Sequence, residues 1–194
     1  MKYFFILSLG ILFLFSCSKE NTASCDDVIC EGNTTCVNGT CVCEEGYEGE
    51  DCDTYSRDKF IANWSGSDTC EIVLAGINDE GQTEIITYDI EARDSSGNHN
   101  YLIFEYINEE GGYQIYGTAH QQRLTIPTQM QSIQLSDLPY PIDGTISGSG
   151  RLFNNNASMT IKTSISGNVF IQGVGMIPAN CECSGVMHKA SDED

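Results

Sequence analysis

The chain has 194 residues, with 28 acidic against 9 basic side chains, a formal net charge of −19 and 10 cysteines. This negative charge argues against binding to nucleic acids or electrostatic docking on an anionic bilayer, because few cations are present to neutralise phosphates. Ten cysteines in a chain of this length indicate an oxidising compartment or a metal protein. Seven of them precede residue 53, so two parts of different character are expected.

Residues 1–16 have the composition of a secretory signal peptide. Lys2 is followed by a run of mostly apolar residues that ends at Phe15. One positive charge before a short apolar segment is typical of such signals. A membrane-spanning helix needs about 20 apolar residues, so this run is too short to remain as an anchor.

The stretch Leu14-Phe15-Ser16-Cys17 resembles the lipobox of bacterial lipoproteins, in which a peptidase cleaves before a cysteine that is then lipidated. Phe15 departs from the strictest pattern, because the residue at its position is usually smaller. The alternative is an ordinary signal peptide, in which Cys17 has no special part. The resemblance implies lipidation at Cys17, and acyl chains anchor firmly because each buried CH₂ contributes about 0.8 kcal/mol.

Residues 17–24 would then form a tether between the lipid and the folded part of the chain. The charged start of this tether, Ser18-Lys19-Glu20, is similar to the tethers of some Gram-negative lipoproteins that reach the cell surface. We therefore expect a protein of the cell envelope, attached to the outer membrane by its N-terminal lipid. Exposure at the cell surface is the further expectation that this tether suggests.

Six cysteines lie between Cys25 and Cys52, with few apolar residues among them. A unit of fewer than about 40 residues usually needs disulfides or a metal to hold its fold. The sequence alone leaves the connectivity of six cysteines open. Disulfides are favoured over a metal cluster in an exported chain, because thiols there become oxidised.

The spacing of these cysteines resembles the epidermal-growth-factor-like (EGF-like) module, most specifically in the stretch that runs from Cys41 to Cys52 through Gly46, Tyr47 and Gly49. The resemblance implies that residues 25–52 form one such module. It also implies three disulfides that join the first cysteine to the third, the second to the fourth and the fifth to the sixth. These pairs are Cys25–Cys36, Cys30–Cys41 and Cys43–Cys52. Each would contribute on the order of 2–3 kcal/mol.

The acidic residues between Glu44 and Asp53 suggest a calcium site, since carboxylates are its usual ligands. Calcium-binding members of the EGF-like family carry an acidic motif directly before the first cysteine. Residues 21–24 of this chain, Asn-Thr-Ala-Ser, lack that motif. We therefore interpret these acids as a solvated surface and expect neither a metal nor a cofactor.

From residue 59 onward, apolar and polar residues alternate with a period of two, as Met159, Ile161 and Ile165 do with their neighbours. About eight to ten short strands, with no persuasive helix, predict an antiparallel β-barrel or sandwich over residues 59–188, so the whole chain is expected to be all-β. An acidic tail, 189–194, follows. The strand candidates are residues 70–75, 86–91, 101–107, 113–118, 123–126, 132–135, 145–153, 157–165 and 168–177. The breaks between candidates include Gly97-Asn98, Gly111-Gly112, Asn154-Asn155-Asn156 and Ser166-Gly167. Bends or bulges within strands are expected at Gly148, Gly150, Gly173 and Gly175.

Trp64 follows Phe60 at the start of this domain, and this arrangement is similar to the lipocalin-like domains of bacterial lipoproteins. Residues 124–129 and 144–150 also look like stretches of such domains. The resemblance covers residues 59–188 and implies a barrel whose base is closed by the early tryptophan. The alternative is that Trp64 is an ordinary core residue.

Cys70, Cys181 and Cys183 are the cysteines that remain. Cys181 and Cys183 share one face of a strand, so either could pair with Cys70, and one thiol would be left over. We take Cys70 with Cys183 as the expected pair and leave Cys181 open as the alternative partner. A zinc site of Cys181, Cys183 and His188 is a further alternative, which the export signal disfavours.

The three histidines, His99, His120 and His188, lie in no recognisable catalytic motif, so we expect no enzymatic activity. A binding or interaction role, with an unknown protein as partner, is the leading hypothesis. The second is a carrier of a small apolar ligand inside a barrel, suggested by aromatic residues in strand patterns. These aromatic residues are Tyr88, Phe104, Tyr106, Tyr116 and Phe170. A surface enzyme, which would need His120 beside a carboxylate, is the third and least favoured.

Overall fold

The structure is a computed structural model, and it describes residues 24–95, 101–107, 113–135 and 138–190. The predicted signal peptide, the lipidation site and most of the tether lie outside the described residues. So do His99 and four residues of the predicted acidic tail. Within the part that is described, no helix is long and apolar enough to cross a membrane.

The chain is all-β, with a small module followed by a closed barrel of eight antiparallel strands. The module contains β1 (Thr34–Val37), β2 (Thr40–Cys43), β3 (Tyr47–Glu48) and β4 (Thr54–Tyr55), and a 3₁₀-helix (Ser56–Lys59) follows it. The barrel strands are β5 (Ala62–Leu74), β6 (Gln82–Asp94), β7 (Tyr101–Ile107), β8 (Tyr113–His120), β9 (Arg123–Ile133), β10 (Ile142–Phe153), β11 (Ser158–Ile171) and β12 (Gly175–Lys189).

The module has little apolar core and is held by three disulfides. They join Cys25 to Cys36, Cys30 to Cys41 and Cys43 to Cys52, which is the order that the EGF-like resemblance implies. Strands β1 and β2 form a hairpin whose turn is Asn38-Gly39, and both residues have a positive φ. This two-residue turn is the one that such a dipeptide favours, because asparagine and glycine tolerate the left-handed backbone.

In the barrel, each strand pairs with the next along the chain, and β12 pairs with β5 to close the sheet. The structure therefore decides between the two predicted architectures in favour of the barrel. Alternate side chains on every strand point inward, and an interior of eight strands is just wide enough for side chains to fill. Phe60 and Trp64 are fully buried at the end where β5 begins, and the Trp64 indole N–H donates a hydrogen bond of 2.8 Å to the Phe60 carbonyl.

Several predicted strand boundaries are wrong. Residues 168–177 form a hairpin rather than one strand, because β11 ends at Ile171 and β12 begins at Gly175. Gly173 and Gly175 therefore serve a tight turn, with φ of 86° and 105°, and do not bend a strand. The predicted break at Ser166-Gly167 is also wrong, because both residues lie inside β11. Gly167 faces Gly144 of β10, and the two glycines let the backbones of the strands approach closely.

The two strands predicted at 123–126 and 132–135 are wrong, because they belong to one strand, β9, which continues past Pro127 and ends at Ile133. Between β9 and β10 the register shifts at this point, so that Pro127 and Thr128 lie opposite the single residue Ser147. Such an irregularity leaves one residue outside the regular pairing, and proline is tolerated in sheets at bulges of this kind. The bulge that Gly148 suggested is thus present at that place, with its extra residue on β9.

The 3₁₀-helix joins the module to the end of the barrel that Trp64 fills. The Ser56 N–H donates to the carbonyl of Gly46 in the module, and its hydroxyl accepts a 2.9 Å hydrogen bond from the backbone N–H of Gln121 between β8 and β9. The ammonium of Lys59 lies 2.6 Å from the carboxylate of Glu48 in the module. The module and the barrel therefore both contact the 3₁₀-helix Ser56–Lys59, which fixes the module against the end of the barrel that Trp64 fills.

Candidate functional site

A cavity of about 140 Å³ lies inside the barrel. Its lining includes Ile133, where β9 ends, and Tyr113, where β8 begins. It does not include Trp64 or Phe60, which fill the other end. The described residues that line it are Asp68, Cys70, Ile86, Thr87, Tyr88, Tyr106, Tyr113, Ile133, Gln134, Leu135, Ile146, Thr163, Ile165 and Cys183. The interior is therefore packed at the module end and hollow towards the opposite end.

Among the described residues that line the cavity, Asp68 is the only charged one. It lies on the same inward face of β5 as Trp64 and Cys70, and its exposure is 6%. The hydroxyl of Tyr88 on β6 donates a hydrogen bond of 2.5 Å to its carboxylate. The residue opposite Asp68 on β12 is Gly185, and a Cβ at Gly185 would overlap this carboxylate, so a glycine is needed to make room for it.

The electrostatics of the cavity follow from burial. Burial raises the pKa of Asp68, and the hydrogen bond from Tyr88 opposes that rise. Burial likewise raises the pKa of Tyr88, Tyr106 and Tyr113, with a further rise from the nearby Asp68 carboxylate. The three phenols are therefore neutral near pH 7, so within the described part of the lining the charge is set by the protonation of Asp68 alone.

Three tyrosines form a cluster at the cavity. The rings of Tyr106 and Tyr113 stack with their centroids 4.5 Å apart, and the Tyr88 ring meets Tyr106 edge-on at 5.6 Å. Tyr88 and Tyr106 are two of the five aromatic residues whose presence in strand patterns suggested a ligand. Tyr113 was missed, although its period-two spacing from Ile115 on β8 places it on the inward face.

The other three aromatic residues predicted for the ligand do not line the cavity. Phe104 is buried in the packed core, with an exposure of 1%. Tyr116 and Phe170 lie on the outside of the barrel and are exposed. Of the five aromatic residues that suggested an apolar ligand, Tyr88 and Tyr106 line the cavity, and they do so together with the carboxylate of Asp68.

The three cysteines of the barrel lie together beside the cavity. Cys70 and Cys183 are directly paired in the register of β5 and β12 and form a disulfide. The Sγ of Cys181 lies 3.4 Å from that of Cys183, and burial raises the pKa of this free thiol to about 11. Cys70 thus pairs with the expected partner, and Cys181 is the thiol left over.

The same cysteines could hold a metal ion only after reduction. Their three Sγ atoms lie within 4.8 Å of one another, but thiolates bind metals and two of these sulfurs are joined in a disulfide. His188 is exposed on the outer face, where its Nδ1 lies 2.9 Å from the Ser158 hydroxyl. The alternative zinc site of Cys181, Cys183 and His188 is therefore wrong, since β12 directs the histidine away from the thiols.

A second cleft lies on the surface between the module and the barrel. It is lined in part by Glu48, Lys59, His120, Arg123 and Arg151. His120 is exposed, and the carboxylate in its cleft belongs to Glu48, which is ion-paired with Lys59. Arg123 and Arg151 face each other directly across β9 and β10, so this cleft is cationic although the protein is acidic.

Comparison with known families identifies the module. Residues 25–55 match the model of the Teneurin-like EGF domain, which extends the predicted module from Cys52 to the end of β4. A search of curated proteins found no match to the chain. The family match covers the module alone, so the role of the barrel must be argued from its own geometry.

Proposed function

We propose that this protein is anchored by a lipid at Cys17 in the cell envelope and that it has a binding or interaction role there. An EGF-like module followed by a β-barrel fits such a role. The lipobox-like stretch that ends at Cys17 supports the anchor, and the tether 17–24 supports a position on the outer membrane and at the cell surface. Oxidation of eight cysteines to disulfides agrees with an exported chain.

The observation that carries this proposal is the joint at the 3₁₀-helix Ser56–Lys59. It holds the module against the filled end of the barrel, so the cavity lies towards the end that the module leaves uncovered. A chain anchored at Cys17 has the module between its lipid and its barrel. The end with the cavity is then available to a ligand or partner that approaches from outside.

The size of the cavity favours this role over that of a carrier for an apolar ligand. Pockets for drug-sized ligands have volumes of about 300 Å³ or more. The cavity measures about 140 Å³ and contains the carboxylate of Asp68. Enzymatic activity is not part of the proposal, because His120 is exposed and the acid in its cleft is held by Lys59.

The anchor is tested by expressing the wild-type chain and Cys17→Ser in a Gram-negative host that is fed a labelled fatty acid. Ser16→Ala is the matched control, since it keeps a small residue before the cysteine. We expect label and membrane fractionation for the wild type and for Ser16→Ala, and loss of both for Cys17→Ser or after globomycin treatment. If Cys17→Ser remained labelled and in the membrane fraction, the proposed anchor would be wrong.

Surface exposure is tested on intact cells. Protease added from outside should degrade the anchored chain while a periplasmic marker protein stays intact. If the chain were protected on intact cells and degraded only after lysis, it would lie on the periplasmic side of the outer membrane. That result would contradict exposure at the cell surface.

A further inference from the structure

We infer that the barrel cavity binds a small organic ammonium ion, with the carboxylate of Asp68 as its counter-ion and the tyrosine rings around it as further partners. This inference rests on the binding role proposed above and names the class of ligand. The cavity is small, buried and acidic, and each of these properties restricts what it can hold.

The first argument is an unbalanced charge. Asp68 is buried and accepts a hydrogen bond from Tyr88, but no lysine, arginine or histidine among the described residues forms an ion pair with it. No basic side chain is found among the lining residues that the structure describes. A carboxylate taken out of water without a cation is strongly unfavourable, and proteins seldom keep one without a functional reason. A bound cation would supply the missing charge.

The second argument concerns the kind of cation. Calcium takes about six to eight oxygen ligands, with carboxylates prominent among them, whereas the lining residues that the structure describes offer one carboxylate. Tyrosine rings attract cations through their negative faces, and methylated ammonium groups are the ligands for which proteins use such rings. Tyr88, Tyr106 and Tyr113 all line the cavity beside Asp68. The lining thus combines apolar rings and one negative charge, as an organic ammonium ion requires.

The third argument is size. A cavity of about 150 Å³ in a protein core admits benzene. The present cavity of about 140 Å³ therefore admits an ion such as tetramethylammonium, but not a drug-sized carrier ligand. Gly185 contributes to this space, because any side chain there would meet the Asp68 carboxylate.

The pH dependence of binding follows from the groups that face Asp68. These are Tyr88 on β6, Tyr106 on β7, Tyr113 on β8 and Cys181 on β12, and burial raises the pKa of each. Glu84 of β6, opposite Cys70, is a further acid on an inward position. Binding should therefore strengthen as pH rises through the raised pKa of Asp68 and should be lost below it.

The test is calorimetric titration of the purified full-length chain with tetramethylammonium chloride at constant ionic strength. The neutral control ligand is tert-butanol, which has a similar size and shape. We expect saturable binding of tetramethylammonium at pH 8, no saturable binding of tert-butanol, and at least tenfold weaker binding of tetramethylammonium at pH 3. Absence of binding at pH 8, or equal binding of both ligands, would overturn the inference.

Two variants locate the site. Asp68→Asn keeps the shape and removes the charge, so tetramethylammonium affinity should fall at least tenfold. Asp89→Asn is the matched control, because Asp89 lies on the outside of β6 and bonds to Ser65, and it should bind like the wild type. Unchanged affinity in a folded Asp68→Asn would overturn the assignment, and the pH series on the wild type decides the question if that variant does not fold. Absence of tetramethylammonium binding would not alter the membrane fractionation of Cys17→Ser. The experiments can therefore reject the ligand and the lipid anchor independently of each other.

Discussion

The Tyr88 hydroxyl and the Asp68 carboxylate are joined by a 2.5 Å hydrogen bond across β5 and β6 in the interior of the barrel. The bond satisfies one oxygen of a buried acid, but it supplies no positive charge. Burial outweighs it, so the pKa of Asp68 remains above its usual range. The buried carboxylate of Asp68 therefore lowers the stability of the barrel, as groups at functional sites often do.

The first prediction concerns the stability of Asp68→Asn. When the pKa of a carboxyl is higher in the folded than in the unfolded chain, its contribution to the free energy of unfolding is greatest below the unfolded pKa. That contribution is lost as the pH rises through the folded pKa. Asp68→Asn should therefore unfold at a higher urea concentration than the wild type at pH 8, with a difference of about 1.4 kcal/mol for each unit of pKa shift. The difference should shrink as pH falls towards 3. Asp89→Asn, which changes an exposed acid, should show no comparable trend.

The second prediction concerns the buried thiol of Cys181. Its burial and its pKa of about 11 leave little reactive thiolate at pH 8. Iodoacetamide should therefore modify Cys181 in guanidinium chloride without reductant but not in the native chain, as peptide mapping by mass spectrometry would show. Cys70 and Cys183 should react only after reduction. Modification of Cys70 without reductant would mean that the disulfide is not the one described.

The third prediction concerns the two arginines that face each other across β9 and β10. Like charges directly opposite on neighbouring strands are destabilising, whereas opposite charges contribute about 0.2–1 kcal/mol. Arg151→Glu should therefore raise the free energy of unfolding by an amount in this range, because it would pair with Arg123. Arg151→Gln, which removes the repulsion alone, should gain less. A lower free energy of unfolding for Arg151→Glu would contradict this prediction. It would mean that an anion or another group binds both arginines in the wild type.

The fourth prediction concerns the joint between module and barrel. Ser56 is fully buried, and its hydroxyl accepts the hydrogen bond from the N–H of Gln121. Ser56→Ala leaves that N–H without its partner, which should destabilise the joint by about 1–3 kcal/mol. Limited proteolysis should then cleave between Cys52 and Phe60 faster than in the wild type. Ser67→Ala, at an exposed position of β5, is the control and should not change the cleavage rate.

The sequence predicted the module well because its signal is local. Its three disulfides each link cysteines 9 to 11 residues apart, and the turn at Asn38-Gly39 depends on two adjacent residues. The glycines of the barrel were harder to interpret. Gly167 and Gly173 both resemble turn residues, but Gly167 lies within β11 because it faces Gly144, and that pairing is not visible locally.

The site was less predictable than the fold. Tyr88 and Tyr106 were selected for their aromatic rings, but Asp68 was not selected, because it is one of 28 acidic residues. Its even spacing from Trp64 and Cys70 is the signal that places it on the inward face of β5. The cavity itself arises from strands that are distant in sequence, so no local pattern predicts its volume.

The most direct test of the account is a ¹³C NMR titration of the Asp68 side-chain carboxyl, assigned by comparison with Asp68→Asn, with and without tetramethylammonium. We predict that Asp68 titrates above the usual range of an aspartate in the free protein, and that tetramethylammonium lowers this pKa because a bound cation favours the charged carboxylate. The account would be contradicted if Asp68 titrated in the usual range, or if its pKa were the same with and without tetramethylammonium. Either result would mean that this cavity does not contain a buried, unpaired carboxylate that binds an organic cation.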